Sequence, residues 1–296
     1  MTIVNRVDRS GSAAPSPSGS SGGGAGGGPV FEIRNVVKRF GAAEGGLLVL
    51  DGIDLTVERD TFTSIVGPSG CGKSTLLRLL AGLDRPTGGE VLLNGAPHGR
   101  NALDVGYVSQ DDTLLPWLSV LSNVMLPLRF RDVPKQERRD RALDVLRMVG
   151  LESFTDYYPH QLSGGMQKRC IIARALVYNP PVLLLDEPFG PLDALTRLGL
   201  QQELLGIWER TQQTAVFVTH DIVEAVALSD RVVVMGRNPG RIRDDLQVDL
   251  DRPRMMEDVP SSERFDAIRR RIWLQLSPEI GLANGSATDD AGGTAT

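Results

Sequence analysis

One octet constrains this chain more than any other stretch. Gly67, Pro68, Ser69, Gly70, Cys71, Gly72, Lys73 and Ser74 fit the pattern of a glycine, a four-residue spacer and Gly-Lys-Ser/Thr, which wraps backbone amides around phosphate oxygens. Its glycines supply backbone angles that side chains would obstruct. Residues 61–66 before it are rich in β-branched side chains and read as a buried strand. Residues 74–80 after it carry Leu76, Leu77, Leu79 and Leu80 and read as a helix whose positive end faces the loop. In this pattern Lys73 reaches the β- and γ-phosphates and the Ser74 hydroxyl holds magnesium. A plain glycine-rich turn is the alternative, and the strand-loop-helix setting argues against it.

Bulk properties narrow the partners. The 296-residue chain is long enough for one large domain or two small ones, and its net charge of −5 offers no basic field for nucleic acid. Its two cysteines, Cys71 and Cys170, have no metal-ligand spacing, which suits free thiols in a reducing compartment. No apolar stretch approaches the roughly 18 residues that span a bilayer, and the amino terminus lacks a signal-like apolar region. Any membrane role is therefore borrowed from a partner.

Taken in order, residues 1–29 read as a disordered tail, because residues 11–29 are all Gly, Ser, Ala or Pro and cannot bury enough apolar surface to offset their ordering entropy. An antiparallel strand pair is expected from residue 30, with Phe40 closing its first strand. After the phosphate loop, residues 85–95 turn into a strand, and residues 104–110 form another that ends in Gln110. A helical insertion follows, in which Leu143, Leu146 and Val149 recur at helical spacing. Ser163, Gly164 and Gly165 cap the next helix and leave its amides uncovered, either as an anion site or as an ordinary cap.

Residues 181–187 run four apolar side chains into Asp186 and Glu187, the mark of a strand buried on both faces with acids at its carboxyl end, where ligands bind in open α/β sheets. Asp186 suits a metal and Glu187 a water. Residues 214–220 repeat the pattern and end in His220. His98 and His160 read as solvent-exposed bystanders. Further on, Phe265, Ile268, Ile272, Trp273 and Leu276 read as one face of a helix, with residues 269–271 on its solvated side. Residues 277–296 read as a flexible tail.

Six motifs in this order resemble the ATP-binding cassette (ABC) ATPases over residues 30–276. The resemblance implies an α/β phosphate-loop NTPase core with a mainly parallel sheet, an N-terminal antiparallel β subdomain and a helical subdomain inserted at about residues 111–178. By resemblance, residues 67–75, through Thr75, form the nucleotide loop, and Phe40 stacks on adenine where the family commonly has Tyr. Gln110, with Ser74 and Asp186, touches magnesium. Leu162, Ser163, Gly164, Gly165 and Met166 match the family signature, with Met166 in place of its usual Gln. Asp193 belongs to the D-loop, Glu187 is the catalytic base and His220 the switch histidine, beside Lys73. Finer features, Leu114-Leu115-Pro116-Trp117 and residues 235–242, look like the ATPases of bacterial nitrate, sulfonate and taurine importers.

The resemblance further implies ATP and Mg2+ as cofactors, and a head-to-tail pair in which the signature of one copy closes over the nucleotide of the other. It implies membrane permease subunits at the inner face of the cell membrane and, indirectly, an external solute-binding protein. Glu187 would orient and deprotonate water while His220 holds the γ-phosphate in line. A soluble ABC ATPase acting on DNA or ribosomes is the rival reading, set against the acidic balance and the single cassette. A nucleotide-binding regulator without turnover is another, set against the intact Glu187 and His220.

Overall fold

Strands β1 (Phe31–Phe40) and β2 (Leu47–Val57) form the expected antiparallel pair, in register from Phe31 opposite Val57 to Phe40 opposite Leu47. The computed structural model describes residues 28–41, 46–99, 105–111, 114–190, 192–257, 259 and 262–280, so the expectations for residues 1–27 and 281–296 lie outside the described residues. The small sheet is not built from the first strands alone. β4 (Gly88–Leu93) and β5 (Ala96–Pro97) return from beyond the phosphate loop to give the order β2-β1-β4-β5.

The central sheet holds β3 (Phe62–Val66), β6 (Val105–Val108), β7 (Val182–Asp186), β8 (Thr214–Thr219), β9 (Arg231–Gly236) and β10 (Arg241–Gln247) in the order β10-β9-β3-β8-β7-β6. All its pairings are parallel except that of β10 with β9. Every residue of β3, β7 and β8 is buried, as continuous apolar runs require when both faces are covered. The alternation of the strands then deals their side chains to two cores. Leu183, Leu185, Ala215 and Phe217 join one cluster, while Val182, Leu184, Val216 and Val218 join the other. Each fully buried aliphatic side chain contributes about 1.5–3 kcal/mol against exposure.

On the first face lie α2 (Val120–Arg129), α3 (Lys135–Met148), α4 (Gly164–Leu176) and α5 (Ala194–Thr211). The first three pack on one another within residues 111–178. Ser119 caps α2 by accepting from the Ser122 amide, and Pro134 opens α3. On the second face lie α1 (Lys73–Leu80) and the small sheet. α6 (Ile222–Leu228) and α7 (Glu263–Leu276) pack with β9 and β10 in a third cluster.

Two expectations are corrected. Trp273 is 44% exposed and does not join Phe265, Ile272 and Leu276 in the core, because one helical step beyond Ile272 turns it away from the buried stripe. His98 is half-buried with its ring edge-on to Phe31 at 5.7 Å, and burial lowers its pKa. His160 is exposed, as expected.

Candidate functional site

Four parallel strands end together. Val66 pairs with Thr219, Asp186 with Val218 and Val108 with Leu185, so the segments leaving β3, β6, β7 and β8 emerge along one edge of the sheet. These segments carry the phosphate loop, Gln110, Glu187 and His220 in turn. Acidic, basic and hydroxyl groups that are far apart in the sequence are therefore neighbours, at the carboxyl ends of the strands.

The loop from Gly67 to Gly72 depends on its glycines for two separate reasons. Gly72, the N-cap of α1, has φ +98°, where a Cβ would also lie 2.6 Å from Leu50. Gly67 lies so close to the strand behind it that a Cβ would stand 2.4 Å from the carbonyl oxygen of Met235. Lys73 opens α1 and is almost wholly buried. Its Nζ donates to the carbonyls of Gly67 (2.9 Å) and Pro68 (3.2 Å) and lies 3.6 Å from Oε1 of Glu187. Ser69 and Gly70 at the loop tip are exposed, while Cys71 is buried beneath them outside any disulfide and Thr75 is half-buried on α1.

The hydroxyl of Ser74 donates to Oδ1 of Asp186 at 2.8 Å, and the phenol of Tyr107 on β6 approaches Oδ2 at 3.3 Å. Burial raises the pKa of Asp186, and these two donors oppose the shift. A hydroxyl and a carboxylate side by side form a hard-oxygen donor pair suited to magnesium. Among the described residues, no group of three or more His, Cys, Asp and Glu side chains could hold a metal ion.

Glu187 follows Asp186 with a left-handed φ of +42°, held by hydrogen bonds from its amide to the Val218 carbonyl and from the Gly190 amide to its own carbonyl. Oε2 of Glu187 lies 3.0 Å from Nδ1 of His220, which donates when that nitrogen carries the proton. Lys73, Ser74, Asp186, Glu187 and His220 are thus brought into one connected set.

Other expected residues lie apart from this set. Gln110 is exposed, two residues beyond the end of β6, and its carbonyl accepts from Nζ of Lys168. Phe40 ends β1 with its ring exposed and Nζ of Lys38 over it at 4.8 Å. Ser163 caps α4 by accepting from the Met166 amide, and with Gly164 it faces solvent. Gly164 and Gly165 pack toward Leu192 and Thr196, next to Asp193, the N-cap of α5.

Sequence reasoning missed Tyr107, which β6 alternation places on the Asp186 side, and the buried carboxylate of Glu224 behind His220. The only local signal for Glu224 was an acid in the first turn of a helix, which is common.

A family model described as ABC transporter matches residues 50–190. An uncharacterized ABC transporter ATP-binding protein of Methanocaldococcus jannaschii is 50% identical over 249 residues, covering 84% of this chain and 92% of that protein. An aliphatic sulfonates import ATP-binding protein of Mesorhizobium japonicum is 49% identical over 246 residues, covering 83% and 89%. Among solved structures, the dimeric structure of a post-hydrolysis state of the ATP-binding cassette MJ0796 bound to ADP and Pi matches with a TM-score of 0.66 at 36% identity, covering 75% of this chain and 100% of that one.

Proposed function

Because this chain belongs to the ABC transporter ATP-binding family and is an ATPase, we propose that it powers import of a small anion of nitrate, sulfonate or taurine type through a separate membrane permease. The anion class rests on the 49% identity to the sulfonate import protein. Among the described residues no helix is long and apolar enough to cross a membrane. In this reading the permease would supply the spans and hold this subunit at the inner face of the membrane. An external solute-binding protein would deliver the anion to that permease.

A docking surface for the permease is supported by exposed aromatics on the helical region. Trp117 is 70% exposed, and Tyr157 and Tyr158 are also exposed. Their two segments are tied together by hydrogen bonds from the Val120 amide to the Tyr157 carbonyl (2.8 Å) and from the Leu121 amide to the Thr155 carbonyl (3.0 Å).

The observation that carries the reading is the Lys73, Glu187 and His220 set beside a loop of open amides. Lys73 and the start of α1 would hold the phosphates of ATP. Glu187 would take a proton from the attacking water, and His220 would orient that water and the γ-phosphate. Ser74, Asp186 and Gln110 would hold Mg2+, which when bound neutralises phosphate charge. Phe40 offers its face to adenine. The signature residues, which open α4 rather than α1, would serve the nucleotide of a second copy in a head-to-tail pair, with Asp193 at the junction.

Glu187→Gln tests the reading. Gln keeps the shape but cannot accept the proton, so ATP binding should persist while turnover falls at least about 100-fold. Blocked hydrolysis should also trap an ATP-dependent dimer on a sizing column. Turnover at the parent rate would remove Glu187 as the base.

A further inference from the structure

We propose that Glu224 is a positioning residue for hydrolysis: through the Thr219 hydroxyl it fixes the turn that carries His220, and through Gln201 it ties that turn to α5. The inference rests on the roles given above to Glu187 and His220. Glu224 lies in the first turn of α6 and is 7% exposed. Its Oε2 accepts from the hydroxyl of Thr219 at 2.6 Å, and its Oε1 accepts from Nε2 of Gln201 at 2.8 Å. Thr219 and Gln201 are buried as well.

The Thr219 oxygen has a second function. It accepts from the backbone amide of Asp221 at 3.0 Å, so the residues on both sides of His220 are pinned to one buried carboxylate. Asp221 in turn caps α6 by accepting from the amides of Val223 (2.7 Å) and Glu224 (3.3 Å). With its flanking peptides held, His220 reaches Glu187 by its own side-chain torsions. A small cavity of about 20 Å³ is lined by Glu187, Arg197, His220 and Glu224, so these four groups border one space.

The far side of the link leads to the segment after Glu187. Gln201 stands one helical turn after Arg197, and Nη2 of Arg197 donates to the carbonyl of Leu192 at 2.9 Å, beside Asp193. Residues 192–193 and the turn of His220 are thus both bonded to side chains of α5, one helical turn apart. Packing alone does not account for a carboxylate here. Burial raises its pKa, a cost that an apolar side chain of similar volume would not carry. What the carboxylate adds is direction: two oxygens, one for the hydroxyl and one for the amide.

The test measures ATP turnover by the full chain with Mg2+. Glu224→Ala and Thr219→Val should each lower kcat roughly 10- to 100-fold, the loss expected when a reacting group is misplaced. KM for ATP should move by less than about threefold, since the phosphate loop is untouched. Glu224→Gln and Thr219→Ser should keep near-parent kcat, because Gln201 can reverse its amide and serine keeps the hydroxyl. In a His220→Ala background Glu224→Ala should cost nothing further. The imidazole signals of His220, one of three histidines, should move in the nuclear magnetic resonance spectrum of Thr219→Val, a neutral change of equal shape.

Parent kcat in both Glu224→Ala and Thr219→Val, a KM rise that accounts for the loss, losses that multiply with His220→Ala, or unmoved His220 signals would each overturn the inference. If Glu224→Ala does not fold, Thr219→Val carries the same readouts. If His220→Ala itself turns over at the parent rate, the role of His220 fails first. If His220→Ala is impaired while Glu224→Ala is not, only the present inference fails.

Discussion

Lys73 shows how a single side chain prepares a site for an anion. It is almost wholly buried, and its ammonium group is satisfied by the carbonyls of Gly67 and Pro68. Phosphate oxygens are better partners than neutral carbonyls, because they add a full negative charge opposite the ammonium. Lys73→Ala should weaken ATP binding by about 1.5–3 kcal/mol, or roughly 10- to 150-fold in Kd, measured by nucleotide titration. An unchanged Kd would take Lys73 out of the binding site. Glu187 illustrates the opposite cost. Its left-handed backbone, unusual for a residue with a side chain, is held by bonds to Val218 and Gly190, as expected where chemistry demands one direction of the carboxylate.

The turn between β9 and β10 supports the phosphate loop from below. A Cβ on Gly240 would lie 2.2 Å from the carbonyl oxygen of Cys71, and Gly240 is fixed there by hydrogen bonds with Val49 and Asp51. Gly240→Ala should cost about 1–3 kcal/mol of stability by overpacking and should also raise the Kd for ATP, because the atom displaced belongs to the loop. A Kd equal to the parent's at reduced melting temperature would separate the turn from the site. α7 offers a second test. Arg271 donates two hydrogen bonds to Asp244 of β10, at 2.9 and 2.8 Å, and holds its carboxyl below the ordinary value. A group depressed in the fold adds stability above its unfolded pKa and loses it as pH falls through the folded one. Melting temperature should therefore fall on acidification below about pH 4, and less steeply in Arg271→Gln. The elements that carry the site were legible because each packs its signal into a few adjacent residues: the phosphate loop, and the apolar runs ending in Asp186 and His220. Tyr107, Glu224 and Gly240 were not, because their partners lie in other elements and only sheet order brings them together. Trp273 was misread because a helical stripe is narrower than a count of apolar residues suggests.

At the scale of the whole molecule, the signature opens α4 rather than α1 and exposes Ser163 and Gly164, and the proposed site draws on two copies. Adding Ser163→Arg to Glu187→Gln should abolish the ATP-dependent dimer seen by sizing chromatography, because a bulky side chain would cover the amides at the start of α4. Retention of the dimer would show that the copies meet elsewhere. The two-sided core has its own bearing on accuracy. Because Val182 and Leu184 belong to one cluster and Leu183 and Leu185 to the other, sliding β7 by one residue would exchange the two sets and turn Asp186 away from Ser74. The oily interior thus acts as a vernier for the polar edge: the fit of methyl groups deep in the sheet sets the aim of a carboxylate at its rim. Loosening that interior would blur the aim before it unfolded the chain.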